Sequence, residues 1–400
     1  MNSTLGFGMA RLPAWFAVLV PLWLLGLIFP PTLDSEEKEL IQFVSLCWIL
    51  VVAVVFSRER FLYSPIQRQD RSVRLWTALF LAAITISAVN SSNALTSLNY
   101  VGITVIGLVI CSGLWSCIRG KMRLCLCIYA FLGSALTTYV YFTGSMYQGR
   151  LSLSVVSHPN HLALIAFGIL VSALAVPNVL ASGVLVGVNM LVIIATQARG
   201  SLVASVIAIL TYLILLHVHL YKRKSIILFI FVAALTAATC MIYESEIQQV
   251  LSGLLFLNDR YRGMGTGFTG RTDAWQEAYQ LFLDNPIFGI GFRMHEQYMT
   301  TLSSAHNGYL SMLAETGISG VICAGALTVT CIVRLFRLFR SGDANAIAGI
   351  SLVFGYLFLA VFERYFINVG NPTSVLVWLF LFMPARKTPV SNSFAATAGV

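Results

Sequence analysis

Apolar runs close to the length of a bilayer-crossing helix recur from one end of this sequence to the other. A helix needs roughly 20 residues to cross a hydrocarbon core of about 30 Å, and inside lipid only helices and closed barrels satisfy their own backbone polar groups. Twelve segments qualify, near 12–30, 38–56, 73–90, 99–118, 122–144, 160–177, 179–196, 201–220, 225–243, 317–338, 345–363 and 373–384. Composition excludes the soluble alternative: with 58% hydrophobic and 10% charged residues, the chain has too little polar surface to cover a water-facing core. The expected fold is an all-α polytopic membrane protein of about 12 transmembrane helices. Residues 1–400 form one transmembrane domain, 388–400 being a mobile tail.

The formal charge of +9 has a membrane explanation and implies no nucleic-acid partner. Basic residues gather in alternate connections: Arg58, Arg60, Arg68, Arg71 and Arg74; then Arg119, Lys121 and Arg123; then Lys222, Arg223 and Lys224; then Arg334, Arg337 and Arg340. Such loops stay in the cytoplasm, so both termini are expected there. The eight cysteines lie in or beside apolar runs without a C-x-x-C pair, as small buried hydrophobes do. The first apolar run is long, rich in Trp and without a small-residue cleavage site, and is read as a retained span.

Polar chemistry on the outer side concentrates in the 244–305 loop, between spans nine and ten. A structureless connection of that length in a compact domain is unusual unless it carries function. It opens with "YESEIQQVLSGLLFL", an amphipathic pattern suited to the membrane surface, followed by a glycine-rich stretch, "RYRGMGTGFTG", read as a lid or linker. A helix is then expected from Arg271, with Trp275, Ala278, Tyr279 and Phe282 on one face and Asn285–Pro286 as its stop. Arginine beside a helix N-terminus suits an anion, although pairing with Asp273 or Glu277 is the plainer reading of an isolated arginine. Farther on, Ser303 or Ser304 is expected to cap a helix through "HNGYLSMLAE", placing His306 in its first turn, where positive potential favours the neutral ring. Glu315 lies about 13 Å farther along that helix, too far to orient His306, and is assigned a structural or second-site role.

"GRTDAWQEAYQLFLDNPIFGIGF" followed by "AHNGYLSMLAETGISG" resembles the signature of the O-antigen ligase and polysaccharide polymerase superfamily; "SHPNHLALIAFG" and "TQARGSLVASVIAIL" are similar to further stretches of it. The resemblance implies metal-independent, inverting transfer of a glycan from undecaprenyl diphosphate to an acceptor hydroxyl at the periplasmic face of a bacterial inner membrane. No cofactor is implied. By the same resemblance His306 is the catalytic base, and Arg199 and Arg271 bind the donor diphosphate. Asn160, His161, Arg293, Asn307 and Tyr309 are supporting or substrate-pocket candidates. His158 and His161 have a spacing that two metal ligands use, but no carboxylate cluster joins them, and no metal site is expected.

The chemistry agrees with those residue types. A departing diphosphate gains charge, which fixed guanidinium groups stabilise, while the acceptor must lose a proton to a base. The acceptor is expected to be the lipid A–core oligosaccharide, which makes the protein an O-antigen ligase. A second lipid-linked glycan, as in an O-antigen or exopolysaccharide polymerase, is the alternative, because both reactions use the same donor. A secondary transporter of twelve spans is the rival outside enzymes, yet the span centres lack the charged residues that transport sites use. An acidic glycosyltransferase built on Asp34, Glu36, Glu37 and Glu39 ranks third, since charge runs are usually solvated faces.

Overall fold

A computed structural model describes residues 16–27, 70–154, 157–221, 271–302, 304–364 and 371–384. The helices are α1 (Phe16–Gly26), α2 (Arg71–Val89), α3 (Ala94–Ile118), α4 (Met122–Thr143), α5 (Pro159–Leu174), α6 (Val179–Ala195), α7 (Arg199–Tyr221), α8 (Arg271–Asp284), α9 (Gly308–Arg340), α10 (Asn345–Leu359) and α11 (Pro372–Leu381). Among the described residues, α2, α3, α4, α7 and α9 are long and apolar enough to cross a membrane, while α5, α6, α10 and α11 are shorter apolar helices. The protein is a helical membrane protein. Expected spans 38–56 and 225–243, the glycine-rich stretch, the amphipathic segment after Tyr243 and the tail lie outside the described residues.

Among the described residues, a short hairpin departs from an all-helical chain. Strands β1 (Ser145–Tyr147) and β2 (Arg150–Ser152) form an antiparallel hairpin in which Tyr147 pairs with Arg150. Gln148 and Gly149 join them, both with left-handed backbone (φ 50° and 74°), as a two-residue hairpin turn requires.

The core centres on α11, which is buried from end to end and packs against α3, α5, α9 and α10. Small residues bring these helices close, in place of the hydrophobic drive that lipid removes. A Cβ on Gly168 would lie 2.5 Å from Thr373 Oγ1, and one on Gly349 would lie 2.6 Å from Phe380 Cδ1. Polar groups in this core find backbone acceptors: Thr373 Oγ1 donates to Leu164 O at 2.8 Å, and the Trp115 indole donates to Leu379 O. Arg334 is not the loop residue that the charge pattern implied. It is buried within α9 and donates to Leu381 O, leaving Arg337 and Arg340 in the helix's last turn.

Helix α9 carries a break that fixes how the chain between α8 and α9 docks. Gly317 has φ 60° and ψ −166° inside the helix, and a Cβ there would lie 2.4 Å from Ile287 C. Gly289, with φ 70°, is equally close to the other side: its Cβ would lie 2.3 Å from Glu315 C. Backbone therefore meets backbone. Ile290 N and Gly291 N donate to Ala314 O and Glu315 O at 3.0 and 3.1 Å, and Ile318 N and Ser319 N donate to Pro286 O and Ile287 O at 2.9 and 3.2 Å. The two halves of the "NPIFGIGF … AETGISG" pattern thus interlock through glycine positions that a side chain would block.

Candidate active site

The site lies at the end of the bundle where the hairpin, the start of α5, the start of α7, the loop before α9 and the end of α10 meet. Arg150 on β2 is buried; its Nε donates to Thr196 O at 2.8 Å and its Nη2 to Asn160 Oδ1 at 2.7 Å. Asn160 in turn donates through Nδ2 to Glu363 Oε1 at 2.5 Å. A guanidinium, an amide and a carboxyl thus form one buried chain, with each amide atom used in its proper sense.

Helix capping sets the neighbouring histidines. His158 occupies the N-cap of α5, where its Nδ1 accepts from Asn160 N at 3.2 Å and Pro159 takes the first helical position. On α9 the cap is Asn307, whose side-chain oxygen accepts from Tyr309 N and Leu310 N, both at 3.0 Å. This corrects the expected cap at Ser303 or Ser304. Asparagine caps as well as serine does, and Ser304 instead accepts from His306 N at 3.1 Å. His306 therefore precedes the helix, in left-handed backbone (φ 46°), and is not in the first turn.

Its ring is nonetheless neutral, for a different reason. Burial, then the Arg271 guanidinium, then His295 push its pKa down to about 4. Glu363 responds in the opposite direction: burial raises its carboxyl to about 7, against the opposing pulls of Arg271, Asn160 and Arg150. The same guanidinium thus acts on both groups. His306 Nδ1 is buried with no hydrogen-bond partner among the described residues.

Three ties bring these segments together. Gly308 N donates to Ala360 O at 2.7 Å, seating the start of α9 on the end of α10. Arg364, next to Glu363, pairs with Glu296, next to His295. Glu277 on α8 accepts from Thr300 N and Thr300 Oγ1, both at 2.7 Å, and from Thr301 N at 3.1 Å, which fixes the Arg271 helix to the chain leading into His306.

The sequence-derived candidates divide accordingly. Asn160, Arg271 and His306 come together. Arg199 begins α7 at the same end: Arg150 bonds Thr196 on one side of it, and a Cβ on Gly200 would lie 3.3 Å from Phe362 Cβ on the other. His161 stands half-buried in the first turn of α5, its N–H donating to His158 O at 2.9 Å. Arg293 lies over the Tyr100 ring, 5.7 Å from its centroid. Asn307 serves as a cap, and Tyr309 donates its hydroxyl to Leu357 O at 2.7 Å, a tie between helices. Glu315 pairs with His295 Nδ1 at 2.5 Å, and Ser311 Oγ lies 3.2 Å from His295 Nε2, a buried structural role.

On α8 the expected face is shifted. Ala274 and Ala278 are buried, whereas Tyr279 is exposed and its ring packs beside Phe282; close contact with α9 admits small side chains and turns the large ones outward. Sequence reasoning missed Arg150 and Glu363. Their one signal was a charged residue abutting an apolar run, which is costly unless paired.

Residues 183–325 match the family model described as O-Antigen ligase. The chain is also 24% identical over 180 residues to the "Exopolysaccharide production protein ExoQ" of Rhizobium meliloti (strain 1021). That alignment covers 40% of this chain and 38% of the relative. The resemblance read from the sequence therefore holds across the stretch from α6 into α9, which includes Arg199, Arg271 and His306.

Proposed function

We propose that this protein is a membrane glycosyltransferase, an O-antigen ligase that moves a glycan from undecaprenyl diphosphate to the lipid A–core oligosaccharide. It acts at the periplasmic face of a bacterial inner membrane, within a twelve-span bundle whose termini are cytoplasmic. The observation that supports this reading is that one guanidinium, Arg271, acts on both His306 and Glu363, as expected if a cation for the diphosphate and a neutral base share one site.

In the reaction an acceptor oxygen attacks the anomeric carbon opposite the diphosphate. The new C–O bond forms as the old one breaks, and the bonding pair leaves on the phosphate oxygen. Arg271 and Arg199 stabilise that charge in a site partly shielded from water, where fixed cations act most strongly. His306 accepts the acceptor's proton. A ring this weakly basic takes it only as the C–O bond forms, so proton removal and sugar capture coincide. Arg150 and Asn160 hold Glu363 and the start of α5 in register with it.

A polymerase that extends a second lipid-linked glycan is the alternative, favoured by the similarity to an exopolysaccharide production protein. Both are tested by reconstituting the full chain with an undecaprenyl-diphosphate glycan, a metal chelator and each acceptor in turn. Product on lipid A–core supports the ligase and lengthened lipid-linked glycan supports the polymerase. Activity lost to the chelator overturns the mechanism.

A further inference from the structure

Arg293 carries a charge that no carboxylate among the described residues balances. Two acidic side chains of the same docked segment and its seat are already committed, Glu296 to Arg364 and Glu315 to His295. The Arg293 guanidinium lies 5.7 Å from the centroid of the Tyr100 ring, a contact that attracts the cation but supplies no oxygen acceptor to its N–H donors.

The backbone holds this arginine at a cost. Arg293 has φ 64°, which glycine adopts without strain and a residue with a Cβ only with difficulty. Its neighbours are anchored on both sides. Ser97 Oγ donates to Phe292 O at 2.8 Å, Met294 N donates to Gly291 O at 3.2 Å, and the His295 ring is held by Glu315 at 2.5 Å. Arg293 itself is only half-buried, so the core gains little from its side chain. Strain kept at such a position points to a role for the side chain.

Location narrows what that role can be. Tyr100 stands in the second turn of α3, a helix long and apolar enough to cross a membrane, and Leu95 and Leu98 in the same two turns are exposed. Leucines exposed on such a helix suit acyl chains, so an arginine over its end reaches the level of lipid headgroups. Phosphates are the anions there, and a guanidinium fork binds two phosphate oxygens at once. The same segment leads into the site, because His295, two residues on, acts on His306. Both acceptors considered for the transfer are lipid-anchored glycans that carry phosphate.

We propose that Arg293 binds the phosphate of the lipid-anchored acceptor, a second anion site at the lipid boundary in addition to the donor diphosphate assigned to Arg271 and Arg199. The acceptor is then held by its anchor rather than by its sugars. The assignment rests on the reading of the protein as a glycosyltransferase.

Arg293→Gly removes the guanidinium and suits the backbone at this position, so its melting temperature is expected to stay near wild type. Bound lipid is counted on the full chain by native mass spectrometry, in the His306→Ala background to prevent turnover. The probes are lipid A–core, the same lipid stripped of its phosphates, undecaprenyl-diphosphate glycan and phosphatidylglycerol. The protein is expected to retain either lipid A–core or a second equivalent of the lipid-linked glycan. Arg293→Gly should weaken that equivalent alone by about tenfold or more, the size of a charge-assisted hydrogen bond. Where lipid A–core is the ligand, removing its phosphates should weaken binding as much, with no further loss in Arg293→Gly. Retention of neither acceptor overturns the site, as does retention that Arg293→Gly leaves unchanged or that survives loss of the phosphates. Phosphatidylglycerol held through Arg293 with equal affinity also overturns it, because the site would then take any headgroup. Arg293-dependent retention in a protein that transfers glycan to neither acceptor supports the phosphate site and refutes the functional reading alone.

Discussion

Replacing Gly317 by alanine tests how the chain between α8 and α9 is locked to the bundle. Two penalties arise. The backbone at φ 60° and ψ −166° lies in a region open essentially to glycine alone and disfavours any residue with a Cβ by about 1–3 kcal/mol. The added methyl would also stand 2.4, 2.5 and 2.7 Å from Ile287 C, Ile287 O and Phe288 N, backbone atoms that cannot rotate away. Making room requires separating the loop from α9 at the Ile318–Pro286 and Ser319–Ile287 hydrogen bonds, each contributing about 1 kcal/mol. Together the loss is about 3–5 kcal/mol, concentrated where α8 and the His306 segment are held together. Gly325 is the matched control, since it lies in the same helix with nothing within 4 Å of an added methyl and gains about 0.5–1 kcal/mol of helix propensity as alanine. Thermal denaturation in detergent and glycan transfer are measured on both. Gly317→Ala should melt well below wild type and lose transfer, and Gly325→Ala should match or exceed wild type in both. Equal melting and full transfer in Gly317→Ala would refute the interlock.

Other outcomes follow from the site itself. His306→Ala and Arg271→Ala should each abolish transfer with melting temperature retained; full activity in either removes that residue from the mechanism. Because His306 is held down to about 4, the acid limb of the transfer rate should fall well below pH 6, and a limb centred near pH 6.5 would show an ordinary, solvated imidazole. Glu363 is raised to about 7 by burial, so its protonated form favours the folded state: that contribution is full below the ordinary carboxylate range and is lost as pH rises through about 7. Wild type should therefore melt lower at pH 8 than at pH 6, and Glu363→Gln should flatten that difference; an unchanged pH profile in the variant would contradict the assignment. Arg150→Ala leaves Thr196 O and Asn160 Oδ1 without this buried donor, at about 1–3 kcal/mol for each unsatisfied group, and should unfold at a lower temperature, which a melt like wild type would disprove.

Much of the architecture was legible because lipid imposes one rule everywhere: a run of apolar residues must be a helix. The starts of α5, α7 and α8 fall near their expected positions, and Asn285–Pro286 ends α8 as read, since proline following asparagine cannot continue the helix. Local competition was not legible. Ser304 and Asn307 are both good caps, and only the packed backbone decides that asparagine caps α9 while His306 is left outside. The shifted face of α8 has the same origin, because alanine is favoured only once α9 is known to lie against it. Arg150 and Glu363 lie 213 positions apart in sequence and join through one asparagine, a pairing that no local pattern encodes. Gly289 and Gly317 could be read as turn formers, but not as the two sides of a single contact.

Electron cryo-microscopy of the full chain in nanodiscs with undecaprenyl diphosphate tests the central claim most directly. Diphosphate density is predicted against the Arg271 guanidinium, with Arg199 on the same group and the His306 ring facing the bond that would break. Diphosphate density elsewhere, or Arg271 and His306 opening onto separate surfaces with the ligand bound, would contradict it.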